Sequence, residues 1–256
     1  MRYMGSAVTD TGIIKKTNQD SVCLKIADTK EHGQIAMGVI CDGMGGLEKG
    51  ELASATVIRT FEEWFDKQLP WKIREYTWEG LAADWERMLK ASNQRILNYG
   101  KRLQITLGTT VSAILIIEEK YMIAHVGDSR IYKIKESVEQ LTEDHTFVAR
   151  EVKRGNMTEE QAKRDHRRNV LTQCVGASAM VNPDILYGAV EADSVYMICS
   201  DGFRHEVKTE EMYERFCARN IRDIGEMTRN SQYLIEQVKR RNEKDNISVA
   251  LIKCEE

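Results

Sequence analysis

Four aspartates stand where apolar runs stop or start: Asp42 in VICDG, Asp128 in AHVGDSR, Asp201 in YMICSDG and Asp245 in DNISVALI. The end of a strand is a rigid place to hold a side chain, and a neighbouring glycine permits close backbone approach. Carboxylates gathered from several such ends repel one another unless cations neutralise them. With oxygen donors and no His or Cys among them, the suitable ions are Mg or Mn, not zinc. A site of this kind can hold two metals about 3.5–4 Å apart and turn a shared water into hydroxide at neutral pH. Each Asp-Gly taken alone is also an ordinary turn signal. The repetition of one strand-acid junction is what points to chemistry.

The elements that would position these acids follow from apolar patterning. Strands are expected at Ser21–Ile26, Gln34–Cys41, Thr109–Ile117, Tyr121–Val126, Arg130–Ile134, Ser194–Cys199 and Ile247–Ile252. A helix is expected over Glu48–Lys67, with Leu52, Ala55, Ile58, Phe61 and Phe65 as its buried face. A second carries Trp78, Leu81, Ala82, Trp85, Met88, Leu89, Ser92, Ile96 and Tyr99 on one side, which makes its tryptophans core residues. A last helix spans about Arg222–Arg241. Strands that follow one another and helices in long separate blocks describe an α+β fold, not a βαβ alternation. Residues 142–178 are polar and weakly periodic, with a short helical signal after Thr158, a candidate cap, and are expected to form a mobile surface subdomain.

Composition narrows the classes. The 256 residues carry 37 Lys and Arg against 40 Asp and Glu, mixed instead of forming a basic stripe. Nucleic acid is therefore not an expected partner. The N-terminus lacks a charged-then-apolar signal pattern, and no apolar run approaches the roughly 20 residues of a spanning helix, so a cytoplasmic protein without a membrane partner is expected. Six cysteines, at 23, 41, 174, 199, 217 and 254, form no CxxC pair. Their surroundings suit reduced, buried thiols. With two prolines and no Ser/Gly-rich linker, residues 1–256 read as one domain.

The series TDTGIIKKTNQDS (9–21), VICDGMGGLEKGELAS (39–54), LGTT (107–110), HVGDSRIY (125–132), LTEDHT (141–146), ICSDG (198–202) and DNISVALI (245–252) resembles the metal-dependent type 2C protein phosphatases, the PPM family, in their bacterial form. The motifs come in the family's order and cover nearly the whole chain. The resemblance implies a four-layer α-β-β-α sandwich, two antiparallel sheets flanked by helices, with Mn or Mg in a channel at one edge. It implies that Asp42 bridges two metals, that Gly43 lends its backbone carbonyl, and that Asp201 and Asp245 complete the first metal's shell. Asp128, with Asp201, would hold a third and weaker metal, and Asp20 would support the second through water. The implied catalytic acids are thus Asp42, Asp201 and Asp245. The implied reaction is hydrolysis of protein phosphoserine or phosphothreonine by in-line attack of the metal-bridging hydroxide, in a monomer that reverses a bacterial Ser/Thr kinase on its phosphoprotein targets. A flap at about 146–178 would contribute to substrate choice.

Two departures from the family pattern stand out. The phosphate-binding Arg of GxxR is Lys15 in GIIK, which keeps the charge but not the planar fork. The His that can protonate the leaving oxygen is absent, its positions being Met44 and Leu47. His145 matches a common family residue and is read as structural before catalytic. A pseudophosphatase that binds phosphoproteins without hydrolysing them is the alternative reading, and a hydrolase of small phosphates a third.

Overall fold

The computed structural model describes residues 1–44 and 49–255. Its first half runs β1 (Arg2–Asp10), β2 (Ser21–Thr29), β3 (Gly33–Cys41), α1 (Gly50–Glu63), α2 (Leu69–Lys72), α3 (Trp78–Leu103), β4 (Val111–Ile117) and β5 (Lys120–Val126). The second half adds β6 (Arg130–Ile134), β7 (Val138–Gln140), α4 (Phe147–Lys153), α5 (Glu159–Arg164), β8 (Asp184–Ala189), β9 (Val195–Cys199), α6 (Asp201–Arg204), α7 (Thr209–Phe216), α8 (Ile224–Arg240) and β10 (Ile247–Glu255). The strands pair antiparallel in two sheets, ordered β1-β10-β9-β6-β7 and β2-β3-β4-β5-β8.

Side chains alternate across a strand, so a strand buried on both faces divides its apolar residues between two interiors. In β3, Ile35, Met37, Val39 and Cys41 pack under α1 and α3, while Ala36 and Ile40 pack between the sheets. In β9 and β10, Met197, Cys199, Val249 and Leu251 face α7 and α8, while Tyr196, Ile198, Ala250 and Ile252 meet the other sheet. The layers are therefore helix, sheet, sheet, helix, the sandwich that the motif resemblance implies. A Cβ at Gly38 would lie 2.8 Å from Ile198 Cδ1, so glycine lets the sheets close there.

Helix α3 starts at its Thr77 cap, whose side chain accepts from Gly80 N, and buries the expected Leu81, Ala82, Trp85, Leu89 and Ile96. Trp85 meets Phe61 and Trp64 edge to face, with centroids 5.0 and 5.6 Å away. The face expected for α1 needs correction: Leu52 is 40% exposed, and the buried stripe is Ala53, Val57, Ile58 and Phe61, continuing to Trp64 and Phe65. The cause is Gly50, whose missing Cβ would lie 2.9 Å from the Gly43 carbonyl carbon. That contact turns Gly50 inward, and residues 53, 54 and 57 follow at helical spacing. The expected start of this helix at Glu48 lies outside the described residues.

The three strands not expected from sequence, β1, β7 and β8, are all edge strands. Helix α5 is capped reciprocally by Thr158 and Gln161, Thr158 being the cap candidate in the sequence. All six cysteines are free and buried.

Candidate active site

The C-terminal ends of β3, β5 and β9 and the N-terminal ends of β2, β4 and β10 lie at one end of the sandwich, as the registers Ser21↔Cys41, Val111↔Val126 and Val249↔Cys199 require. Every acid singled out in the sequence is at that end. Glycines set how closely the segments approach. A Cβ at Gly43 would meet Gln19 O at 2.5 Å, and one at Gly202 would meet Asn246 O at 2.2 Å. At Gly12, whose φ is +78°, it would meet Asp245 O at 2.4 Å. Glycine follows Asp42 and Asp201 because a second backbone passes where its side chain would stand. The Gly43 N–H is spent on that contact, donating to Gln19 O at 3.1 Å.

Asn246 ties the loop between β1 and β2 to the start of β10. Its Oδ1 accepts from Gln19 N at 2.9 Å, and its Nδ2 donates to Thr11 O at 2.9 Å and Thr17 O at 3.2 Å. Thr110 fixes Asp42 by accepting from Asp42 N at 3.0 Å and donating its own N–H to Asp42 O at 2.9 Å. The DN and LGTT motifs are visible in the sequence, but the anchoring roles of Asn246 and Thr110 depend on contacts that only the fold makes.

The carboxylates are crowded and poorly compensated. Asp20 takes a hydrogen bond from Ser248 Oγ at 2.6 Å on Oδ2. Its Oδ1, like Oδ1 of Asp201, is buried without a hydrogen-bond partner among the described residues. Burial, with Asp201 and Asp245 nearby, raises the Asp20 pKa to about 7 against the stabilising hydrogen bond from Ser248. Asp42 is pushed well above the carboxylate range by burial first, then by Asp20, Asp201, Asp128 and Asp245. Asp128 is raised to about 7 by burial and then by Asp201, with Arg204 opposing.

Two acids have basic partners. Asp245 Oδ1 lies 2.9 Å from Lys15 Nζ, a half-exposed pair. Arg204 donates from Nε to Asp128 O at 3.2 Å and places Nη2 3.5 Å from both Asp128 Oδ2 and Asp144 Oδ2. Arg130 holds Asp144 with both ends of its fork, at 2.7 and 2.8 Å. Neither Arg204 nor Asp144 was singled out in the sequence.

His145 accepts at Nδ1 from Gly127 N at 3.2 Å and Gln173 Nε2 at 3.0 Å. Its proton is thus on Nε2, 3.1 Å from Asp184 Oδ2 in β8. It latches the turn before Asp128 onto Thr172 and Gln173. Its neighbour His125, 4.9 Å away between centroids, is held to Ser112 Oγ at 2.9 Å. Burial and then His145 lower the His125 pKa to about 4. Met44 lies against Gly108, donating its N–H to Gly108 O at 3.1 Å, and offers no acidic proton. Leu47 lies outside the described residues.

Among the described residues, no three His, Cys, Asp or Glu side chains already converge on one ion position. Asp245 is turned onto Lys15 and Asp20 onto Ser248. The donor chemistry nevertheless fits divalent cations: oxygen donors from separate segments, with unpartnered buried oxygens on Asp20 and Asp201.

The family model for protein phosphatase 2C matches residues 14–238. A putative protein phosphatase 2C-type protein of Streptococcus pyogenes serotype M6 is 30% identical over 250 residues, 96% of each chain. The Streptococcus agalactiae serine/threonine phosphatase structure superposes with a TM-score of 0.85 at 28% identity, covering 99% of this chain and 100% of the other. The catalytic domain of the phosphatase PstP, solved in complex with two manganese ions, superposes with a TM-score of 0.79 at 26% identity over 99% of both chains. A motif series, a family model over most of the chain and a fold that agree in this way have one source: the chain belongs to the protein phosphatase 2C family.

Proposed function

We propose that this chain is a metal-dependent protein serine/threonine phosphatase whose substrates are the phosphoproteins of a Ser/Thr kinase. One observation carries the reading: acids from separate segments meet at one end of the sandwich, with buried Asp20 and Asp201 oxygens unpartnered among the described residues. Like charge in such surroundings is costly to maintain without a bound cation. The Streptococcus agalactiae and PstP phosphatases share the fold, and the PstP structure holds two manganese ions.

Asp42, Asp201 and Asp245 would hold the core ions, Mn or Mg, with Asp20 and the Gly43 carbonyl in support. When bound, the ions supply Lewis acidity and make water a competent nucleophile at neutral pH. The chain's own residues do the rest. Thr110 and Gln19 fix the backbone of Asp42 and Gly43, and Asn246 fixes the loop bearing Lys15. Lys15, once its amine leaves Asp245, lies at the site's edge as a cation for the phosphate. His145 directs its proton to Asp184, so its work is to hold the Asp128 turn and the flap, residues 146–178, which we assign to substrate choice. Among the described residues, no positioned side-chain acid stands ready for the departing alkoxide, and the reaction would draw that proton from water. No helix among the described residues is long and apolar enough to cross a membrane.

The test is hydrolysis of a phosphothreonine peptide with and without Mn. Turnover that needs Mn and stops in EDTA supports the reading. Binding of the phosphopeptide without turnover at saturating Mn or Mg would instead make the chain a phosphoprotein-binding regulator.

A further inference from the structure

The acids at this end differ in what answers their charge. Asp245 has Lys15, whose side chain is 26% exposed and sits on a loop, so its amine can swing into solvent. Asp128 has Arg204, and neither is free to move: their side chains are 8% and 11% exposed. Arg204 sits in α6, three residues after Asp201, and is held on both sides. It donates to the Asp128 backbone at 3.2 Å and reaches Asp128 Oδ2 and Asp144 Oδ2 at 3.5 Å, while Arg130 clamps the far side of Asp144. Withdrawing it would leave two buried carboxylates short of a counter-charge, which the interior penalises heavily. A guanidinium also keeps its charge at every working pH.

We infer that Arg204 is a fixed internal cation on Asp128, standing where a third divalent ion would otherwise bind, so that this chain takes two ions and not three. The inference rests on the metal-dependent reading above and concerns only the outer position. A guanidinium and a metal cannot share one carboxylate edge without like-charge repulsion, and Arg204 is the one built into the fold. The core acids carry no such partner: Asp20 Oδ1 and Asp201 Oδ1 have none among the described residues. The inner positions therefore stay open to ions while the outer one is filled by the chain.

The experiment counts ions on the full chain by native mass spectrometry, with Mn affinities from calorimetry. Wild type should saturate with two Mn, and Asp128→Asn should also bind two, since that carboxylate is committed to Arg204. Arg204→Gln should admit a third Mn, and Arg204→Lys, which keeps a charge, should not. Three Mn on wild type, or loss of one on Asp128→Asn, overturns the inference even if Arg204→Gln fails to fold. A folded Arg204→Gln that still binds two overturns it as well. Absence of Mn from every variant would overturn the metal-dependent reading and this inference together, an outcome distinct from all the others.

Discussion

The two ends of the sandwich treat charge in opposite ways. At the end carrying the β2–β3 and β4–β5 turns, Glu118 sits 2.9 Å from His32 Nδ1, and its carbonyl accepts from Tyr3 OH at 2.7 Å. His32 Nε2 faces Ile73 O at 2.9 Å, and its ring meets Tyr76 edge to face at 5.3 Å. At the other end, Asp20, Asp42, Asp128 and Asp201 are crowded, and two of their oxygens lack partners among the described residues. The same strands run between both ends, so the architecture does not force the difference. Among the described residues Trp85 Nε1 and His125 Nε2 are also buried without partners, but the unpartnered carboxylate oxygens all lie at the crowded end, where a ligand would complete them.

The sharpest way to break this comparison is to neutralise one crowded acid. Asp42→Asn and Asp201→Asn should each lower phosphatase activity by about 10³-fold or more, because removing a core ligand removes ion binding. The metal-free chain should at the same time melt at an equal or higher temperature, since like-charge repulsion is relieved. Activity retained in either variant, or a lowered melting temperature in both, would show that these carboxylates are ordinary structural acids.

Next in size is the pH dependence of stability. Asp20 and Asp128 have pKa values raised to about 7, above their unfolded value of 3.8. Between those values the folded chain holds protons that the unfolded chain has released. Stability of the metal-free chain should therefore rise as pH falls from about 7 toward 4, by on the order of a few kcal/mol, the reverse of ordinary acid destabilisation. Saturating Mn should reduce the trend by favouring the ionised form of Asp20, leaving the part that belongs to Asp128. Urea titrations across this range, with EDTA and with Mn, read both slopes.

At the paired end, His32→Ala should cost roughly 1–3 kcal/mol of stability, because it strips partners from Glu118 and the Ile73 carbonyl. It should leave kcat and Mn affinity unchanged. A matching loss of Mn binding would mean that the two ends are not independent.

How much of this was legible in the sequence follows from what each element depends on. The strands seen in advance include every central one, because burial on two faces writes a continuous apolar run such as IAMGVIC. The edge strands β1, β7 and β8 escaped notice because an exposed face mixes polar residues into the run, as in DILYGA with its half-buried and exposed positions. Of the face expected for α1, Ile58, Phe61 and Phe65 are buried, but Leu52 in the first turn faces solvent: a backbone contact between Gly50 and Gly43 sets that turn, and side-chain hydrophobicity carries no record of it. At the site, the acids announced themselves by repetition. Arg204 did not, since its partners Asp128 and Asp144 lie 76 and 60 positions away in sequence and only the fold brings them together. Whether a lysine such as Lys15 is free or paired is equally a matter of tertiary placement.

That pairing sets the smallest and most informative effect. By the motif resemblance, Lys15 would take the place of a phosphate-binding arginine. In the fold its amine lies 2.9 Å from Asp245 Oδ1, so it is engaged by an acid that the proposed core ions would claim. The pair is solvent-accessible and worth roughly 0.2–1 kcal/mol, so it holds the lysine only loosely and ions can displace it. Lys15→Ala should then have two consequences of opposite sign. Mn should bind about two- to fivefold tighter, since a competing cation is gone, with the gain shrinking in high salt. KM for a phosphothreonine peptide should rise, while kcat changes little, because a cation that holds phosphate equally before and during reaction affects binding more than chemistry. Lys15→Arg should lower KM through its planar fork. A rise in KM without any gain in Mn affinity would mean that the Asp245 contact does not compete with metal. A gain in Mn affinity at unchanged KM would leave Lys15 as a guard on Asp245 and remove it from the phosphate site.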